Sequence, residues 1–527
     1  MPLPSSLGVR YGIAMSRRIL LPFLTILFLS GATFGSLLLS SSPTSWDDGL
    51  RHITMARVMR EEGIDQTWDR FLFGGYLAEH PLDPWFLADV SYIPFTAFPD
   101  ALGLKLYATL GIAALLLALW YIIAPMKLPA PWVTALLLLV FVMQGFYGRL
   151  VLARPFVWST VFSLLALDAV LRRRWVQLTC VLLIATLFSQ LFVFPLLLAL
   201  SGVAWLLSLR DRRAAITATT CIALGVLAGV ALHPHPVSYV LYIVAVFLRI
   251  PFEARSLNLG TEMYPGFLSA TAPTAILGSL VLICTGAHTE GHKIRLRALH
   301  EDGTTLLAAL TACAFFAYLF AWNRMIDLLL PLLIFLCARV LKHIEPFAKE
   351  LFTVSLAPLL PRIRGGTLLL ATLFAAALCT IGRAAAGLYT TAADRVLAHA
   401  APLAAIPAGS RVLNPEWFLF PLFMHGNPHV RYATGIDNTF MAVTNRSAYQ
   451  LLEVTFSPAA TLPRAVVDTR AWISQLLEHF PSDYLVLSNG WGKNLLPLLR
   501  VTPGLTELTE SGAKIEVFRI ERGFGGE

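Results

Sequence analysis

Charge is what this sequence has least of. Only 14% of its residues are Asp, Glu, Lys or Arg, against 57% that are hydrophobic, where a soluble globular chain carries roughly 25% charged residues. That shortfall excludes an ordinary soluble enzyme and indicates a polytopic membrane protein. Cysteine is sparse too: Cys180, Cys221, Cys284, Cys313, Cys337 and Cys379 all sit inside apolar runs, and none forms a CxxC. Neither a disulfide framework nor a zinc site follows from that placement. The polar tail has no GxGxxG, P-loop or G-x-S-x-G motif, so the usual signatures of nucleotide binding and serine hydrolysis are missing there. The net charge of +8 is not a nucleic-acid footprint, because the basic residues fall in small groups between apolar runs, as positive-inside topology requires.

What is present is a series of apolar stretches, each to be measured against the roughly 20 residues that cross a bilayer core as a helix. Arg10, Arg17 and Arg18 precede the run from Ile19 to Ser40. That run exceeds the ~7 to 15-residue core of a signal peptide, so it reads as an uncleaved first span with a cytoplasmic N-terminus. Further spans are expected near 104–124, 132–147, 156–171, 214–232, 266–285, 304–322, 325–340 and 367–389. The stretch 175–209 lies between two basic clusters, so it goes out and back as two short helices turning near Gln190 or Pro195. Residues 239–250 are short and are placed in the interface, with a tilted span as the alternative. The count comes to about eleven spans, which puts the C-terminus outside.

The first external loop, residues 42–103, carries ten carboxylates against four arginines. It opens on Trp46-Asp47-Asp48-Gly49-Leu50-Arg51-His52. If a helix starts here, Asp48, Arg51 and His52 share a face and Asp47 lies over Arg51, which gathers acid, base and cation within reach of one substrate. The alternative is a capping box, Ser45-x-x-Asp48, that only starts the helix. His80 and Asp83 lie further along the same loop, followed by Trp85 and Tyr92 in a segment expected at headgroup depth. Arg149 and Arg154 flank a short external turn and either grip an anion or anchor lipid headgroups. His233-Pro234-His235-Pro236 is either half of a metal site or a proline-shaped turn that carries polar groups to the site. Glu262 and Tyr264 fall on the outer face. Arg324 and Asp327 sit at a tight external turn, as a mutual ion pair or a phosphate contact.

After residue 390 the composition changes. Strand-like segments at 411–413, 430–433, 483–488 and 514–520 alternate with helical ones such as 469–480, which predicts a small external α/β domain. Asn414-Pro415, Asn427-Pro428 and Gly435-Ile436-Asp437-Asn438 supply its turns. Asn445-Arg446-Ser447 matches a glycosylation sequon. The expected architecture is therefore mainly α. A transmembrane module spans 1–389, including the 42–103 loop with its interfacial helices, and an extramembrane α/β domain spans 390–527.

A first span, an external loop beginning with the paired carboxylates Asp47-Asp48, a bundle of further spans and an external C-terminal domain together resemble the GT-C superfamily of membrane glycosyltransferases. The likeness of layout covers nearly the whole chain, and the two-residue motif is short. The resemblance implies that Asp47 or Asp48 is the general base, that the donor is a polyprenyl-phosphate-linked sugar and that transfer inverts the anomeric centre. Arg51, His52, Arg149, Arg154 and Arg324 are the cations available to neutralise the leaving phosphate. The acceptor would be a glycan, lipid or protein on the periplasmic or lumenal side of the bilayer, and a bacterial inner membrane fits the layout. A divalent cation, Mg or Mn, held by the acidic pair belongs to the same pattern, although further ligands are few. Two competing readings are a transporter or flippase of lipid-linked saccharides, whose charges would line a path through the spans, and an assembly scaffold built on a degenerate module of this kind.

Overall fold

A computed structural model of the chain describes residues 7–39, 48–249, 273–281, 296–320, 323–345, 355–356, 360–389, 399–435, 441, 444–456, 469–489, 495–509, 513–521 and 524. Asp47, Glu262, Tyr264 and residues 436–438 lie outside them. The chain is a multi-pass membrane protein, mainly helical, with a small C-terminal sheet. Among the described residues five apolar helices are long enough to cross a bilayer: Ile19–Leu39, Asp100–Met126, Gln190–Ser208, Arg212–Leu232 and Gly366–Arg383. A sixth is made if Ala130–Phe141 and Gln144–Leu150, bent by 80°, count as one span, and four shorter apolar helices accompany them. Residues 175–209 do form two helices, Trp175–Phe188 and Val193–Ser208. The break falls at Ser189, whose extended backbone and side chain cap the next turn.

The chain divides into two compact units. One gathers the described parts of 1–40, 105–229 and 260–388. Its helices pack through small residues: Ala166, Ala169, Ala199, Ala214, Ala215 and Ala218 share a core with Leu178, Leu182 and Leu206. Gly225 and Gly229 bring Arg212–Leu232 against Trp175–Phe188, so closely that a Cβ at Gly225 would stand 2.7 Å from the Thr179 carbonyl oxygen. At one end Arg172 meets the buried Asp168 at 2.7 Å, while Asp302 receives His343 at 2.7 Å. Residues 342–366, expected as a plain loop, contain an antiparallel pair, β1 (Ser355–Leu356) and β2 (Leu360–Arg364).

The second unit gathers the described parts of 41–104, 230–259 and 389–527. Its sheet contains β3 (Arg411–Leu413), β4 (Arg431–Tyr432), β5 (Tyr484–Ser488), β6 (Leu505–Glu507) and β7 (Ile515–Ile520) in the order β4-β3-β5-β7-β6. β3 runs parallel to β4 and β5, and β7 runs antiparallel to β5 and β6. β5 is buried almost throughout because the helices Arg446–Phe456 and Thr469–His479 lay Leu452, Trp472, Ile473 and Leu476 on its core. The first loop joins this sheet. Leu72 pairs in parallel with Tyr432, Phe73 N donates to the Tyr432 carbonyl at 3.0 Å, and Tyr432 N donates to the Phe71 carbonyl at 2.8 Å. Gly74 permits that approach, since a Cβ there would stand 2.3 Å from the Ala433 carbonyl oxygen.

Candidate active site

In the second unit a helix runs from Asp48 to Glu62, and the i,i+3 spacing places Arg51 under Asp48. Arg51 Nε donates to Asp48 Oδ1 at 3.0 Å, with the Asp48 side chain 32% exposed and that of Arg51 only 3%. The guanidinium is held from behind. It lies 4.0 Å from the centroid of the Trp85 ring and 5.4 Å from that of Trp68, two rings that meet edge to face. A cation on indole faces in a dry setting gains about 2 kcal/mol, which compensates part of the cost of its burial.

His52 is fully buried. Its Nδ1 stands 2.5 Å from Asp89 Oδ1, and its ring stacks on Tyr92 and meets the edge of Trp85. Asp83 Oδ1 accepts from Trp68 Nε1 and from Trp85 N, each at 2.9 Å, an Asx turn that starts the helix Phe86–Tyr92 carrying Asp89. Burial raises both carboxyls above the ordinary Asp range, and Asp89 rises well above it because Asp83 adds its own charge. Two carboxyls buried side by side disfavour each other's charge, which adds to the effect of desolvation on Asp89. His233, 3% exposed, faces the Asp83 carbonyl oxygen through Nε2 at 3.0 Å and accepts from His235 N through Nδ1. That fixes the neutral Nε2–H tautomer, and burial lowers its pKa to about 4.

The structure places Arg51, His52, Asp83 and His233, candidate substrate contacts by sequence, in the core, each 3% exposed or less. Trp85 and Tyr92, expected at headgroup depth, are 5% and 0% exposed. The His233–His235 pair does not converge on one point: His235 Nε2 faces Asp65 Oδ1 at 3.0 Å. His80 is half-buried beside Tyr76, with ring centroids 4.3 Å apart. In the other unit Arg149 reaches Asp327 bidentately at 2.8 Å and 2.8 Å. Arg154 is half-buried and Arg324 exposed.

Among the described residues no three His, Cys, Asp or Glu side chains converge as metal ligands. Asp48 Oδ1 faces Arg51 and Asp47, the other member of the acidic pair, lies outside the described residues, so no step is routed through a cation. Sequence reasoning missed Asp89, Trp68 and the grip on Arg51. The D-P-W turn at Asp83-Pro84-Trp85 was the available signal for the last of these. It also missed His425, whose Nδ1 meets Thr54 Oγ1 at 3.1 Å and whose Nε2 faces Asp100 Oδ2 at 3.5 Å, tying the tail helix Phe420–Gly426 to the loop.

The fold, an apolar helical bundle together with an acidic first loop joined to a C-terminal α/β sheet, is shared by solved structures. The oligosaccharyltransferase of Archaeoglobus fulgidus, without ligand, superposes with a TM-score of 0.55 at 11% identity, over 89% of this chain and 69% of that one. The AglB oligosaccharyltransferase of the same organism, in complex with an inhibitory peptide and a dolichol-phosphate, gives 0.53 at 12% identity over 95% and 74%. ArnT from Cupriavidus metallidurans in its apo state gives 0.50 at 13% identity over 94% and 97%. At these identities the likeness is one of fold. By sequence the chain matches no protein-family model and no curated protein.

Proposed function

We propose that this chain is a membrane glycosyltransferase that moves a sugar from a polyprenyl-phosphate donor to a hydroxyl of a glycan, lipid or protein acceptor, with inversion. One observation carries the proposal: on a GT-C fold, the Asp48 carboxylate stands one-third exposed at the start of a helix whose next eight residues are buried, fixed by an arginine that is itself withdrawn from solvent. Asp48, or its neighbour Asp47, takes the proton of the acceptor hydroxyl. The acceptor oxygen forms a bond to the anomeric carbon from the face opposite the phosphate. The carbon–oxygen bond to phosphate breaks, and its electron pair leaves with polyprenyl phosphate. A solved structure of this fold is a complex with a dolichol-phosphate, which supports a lipid-linked donor. Such a donor also accounts for a chain without a nucleotide motif, because each buried methylene of the lipid contributes about 0.8 kcal/mol to binding. An external, periplasmic setting for the 42–103 loop and the 390–527 tail, with a cytoplasmic N-terminus, completes the proposal.

The test is a deletion strain complemented with the wild-type chain or with Asp47→Asn, Asp48→Asn and the double variant. The deletion should accumulate a polyprenyl-phosphate sugar. Wild type should clear it, and the double variant, expressed at normal level, should not. Clearance by the double variant would refute the reading.

A further inference from the structure

We propose that Asp83 is a positioning residue for Asp48, acting through Trp68, Trp85 and the Arg51 guanidinium; this rests on the transferase reading above. The chain of contact is continuous and buried. Asp83 Oδ1 receives the Trp68 indole N–H and the Trp85 backbone N–H, both at 2.9 Å. Those two rings bracket the Arg51 guanidinium at 5.4 Å and 4.0 Å, and Arg51 Nε holds Asp48 Oδ1 at 3.0 Å. Asp83 is the point where both tryptophans are fixed, Trp68 by its indole and Trp85 by its backbone, and its own backbone carbonyl in turn receives His233 Nε2–H. Arg51 is 97% withdrawn from solvent and its Nη1 has no hydrogen-bond acceptor among the described residues. The guanidinium is therefore located by the aromatic faces and by Asp48, with the Asp83 charge adding attraction from behind.

A general base misplaced by about 1 Å can lose on the order of a hundredfold in rate without any change in substrate binding. A positioning role for Asp83 therefore predicts a fall in kcat at constant KM. It also predicts that an amide restores activity, because the Oδ1 of Asn accepts the same two N–H groups. A role in general stability predicts neither split.

The experiment uses the full chain in proteoliposomes. The donor is the polyprenyl-phosphate-sugar fraction purified from the deletion strain, and the acceptor is that strain's envelope fraction. Asp83→Ala should lower kcat at least tenfold with KM for the donor within twofold of wild type. Asp83→Asn should recover to within threefold, and Asp83→Ala combined with Arg51→Gln should be no slower than Arg51→Gln alone. Wild-type kcat in Asp83→Ala, equal loss in the Ala and Asn variants, a change confined to KM, or full additivity with Arg51→Gln would each overturn the proposal. If Asp83→Ala is not recovered folded, Arg51→Gln and Asp83→Asn carry the test, and a wild-type rate in Arg51→Gln overturns it. Transfer by the Asp47→Asn, Asp48→Asn double variant would instead remove the transferase reading itself. An inactive double variant beside a fully active Asp83→Ala removes only the inference.

Discussion

The Arg149–Asp327 pair separates two roles that its residues could have. Arg149 reaches Asp327 through Nε and Nη2, each at 2.8 Å, with side chains 16% and 13% exposed. Phe156 lies under the guanidinium at 4.8 Å, and the Asp327 carbonyl accepts from Thr160 Oγ1 at 3.2 Å. A bidentate pair at this burial should cost about 3 to 5 kcal/mol when one member is removed, because the charge that remains loses two charge-assisted hydrogen bonds at a site largely withdrawn from water. Removing both members should cost much less than twice that, with an interaction energy of about 2 to 3 kcal/mol. The assay is denaturant unfolding in detergent of wild type, Arg149→Ala, Asp327→Ala and the double variant, read beside transfer kinetics. If Arg149 instead bound the donor phosphate, Arg149→Ala would raise KM and leave the unfolding midpoint in place, while Asp327→Ala would not reproduce it. Additive midpoint shifts, or a KM effect of Arg149→Ala with unchanged stability, would refute the structural role.

Two further predictions concern stability. His233 titrates near 4 in the folded chain against an ordinary 6.5, so the unfolded chain takes up its proton first as the pH falls. Its contribution is complete above about pH 6.5 and is lost toward pH 4, by about 3 kcal/mol in all. His233→Gln should flatten the acid side of a melting-midpoint profile between pH 4.5 and 7.5, and identical slopes in the two proteins would contradict the assignment. In the helical unit, Gly225→Val and Gly229→Val should each destabilise by about 1 to 3 kcal/mol, because the new side chain meets Thr179 and Leu182, or Leu183 and Thr186, in full contact. Gly382→Ala, with open space around it, is the control and should be neutral in the same thermal measurement.

Local pattern carried far along this chain. The helix does begin at Asp48, and the apolar stretch 175–209 does break near Gln190. The strands expected at 411–413, 430–433, 483–488 and 514–520 appear as β3, β4, β5 and β7 within a residue or two at each end. β6 escaped because three residues after Pro503-Gly504 are too short for a period to show. What no local pattern reveals is the partner. Arg149 and Asp327 are 178 positions apart, and the Leu72–Tyr432 bridge joins residues from opposite ends of the chain. Trp85 and Tyr92 illustrate the same limit: aromatics beside prolines after a span look alike whether a headgroup or a protein core receives them. Here His52, Trp68 and Arg51 take the place of lipid.

The carboxyls around Arg51 show how the fold assigns different work to one residue type. Asp48, Asp83 and Asp89 lie in one loop, where the family resemblance singled out only the Asp47-Asp48 pair. Exposure ranks the three. Asp89 is wholly buried beside another carboxyl, which raises it well above the ordinary Asp range. Asp83, 2% exposed, accepts two N–H groups through Oδ1. Both are withdrawn from a molecule arriving from outside. Asp48, at 32% exposure and ion-paired from one side, is the member of the three with a solvent-facing carboxylate. Environments that push neighbouring acids apart in this way distinguish a reacting group from its supports. On the proposed reading the base is Asp48, and the two buried aspartates stand behind it.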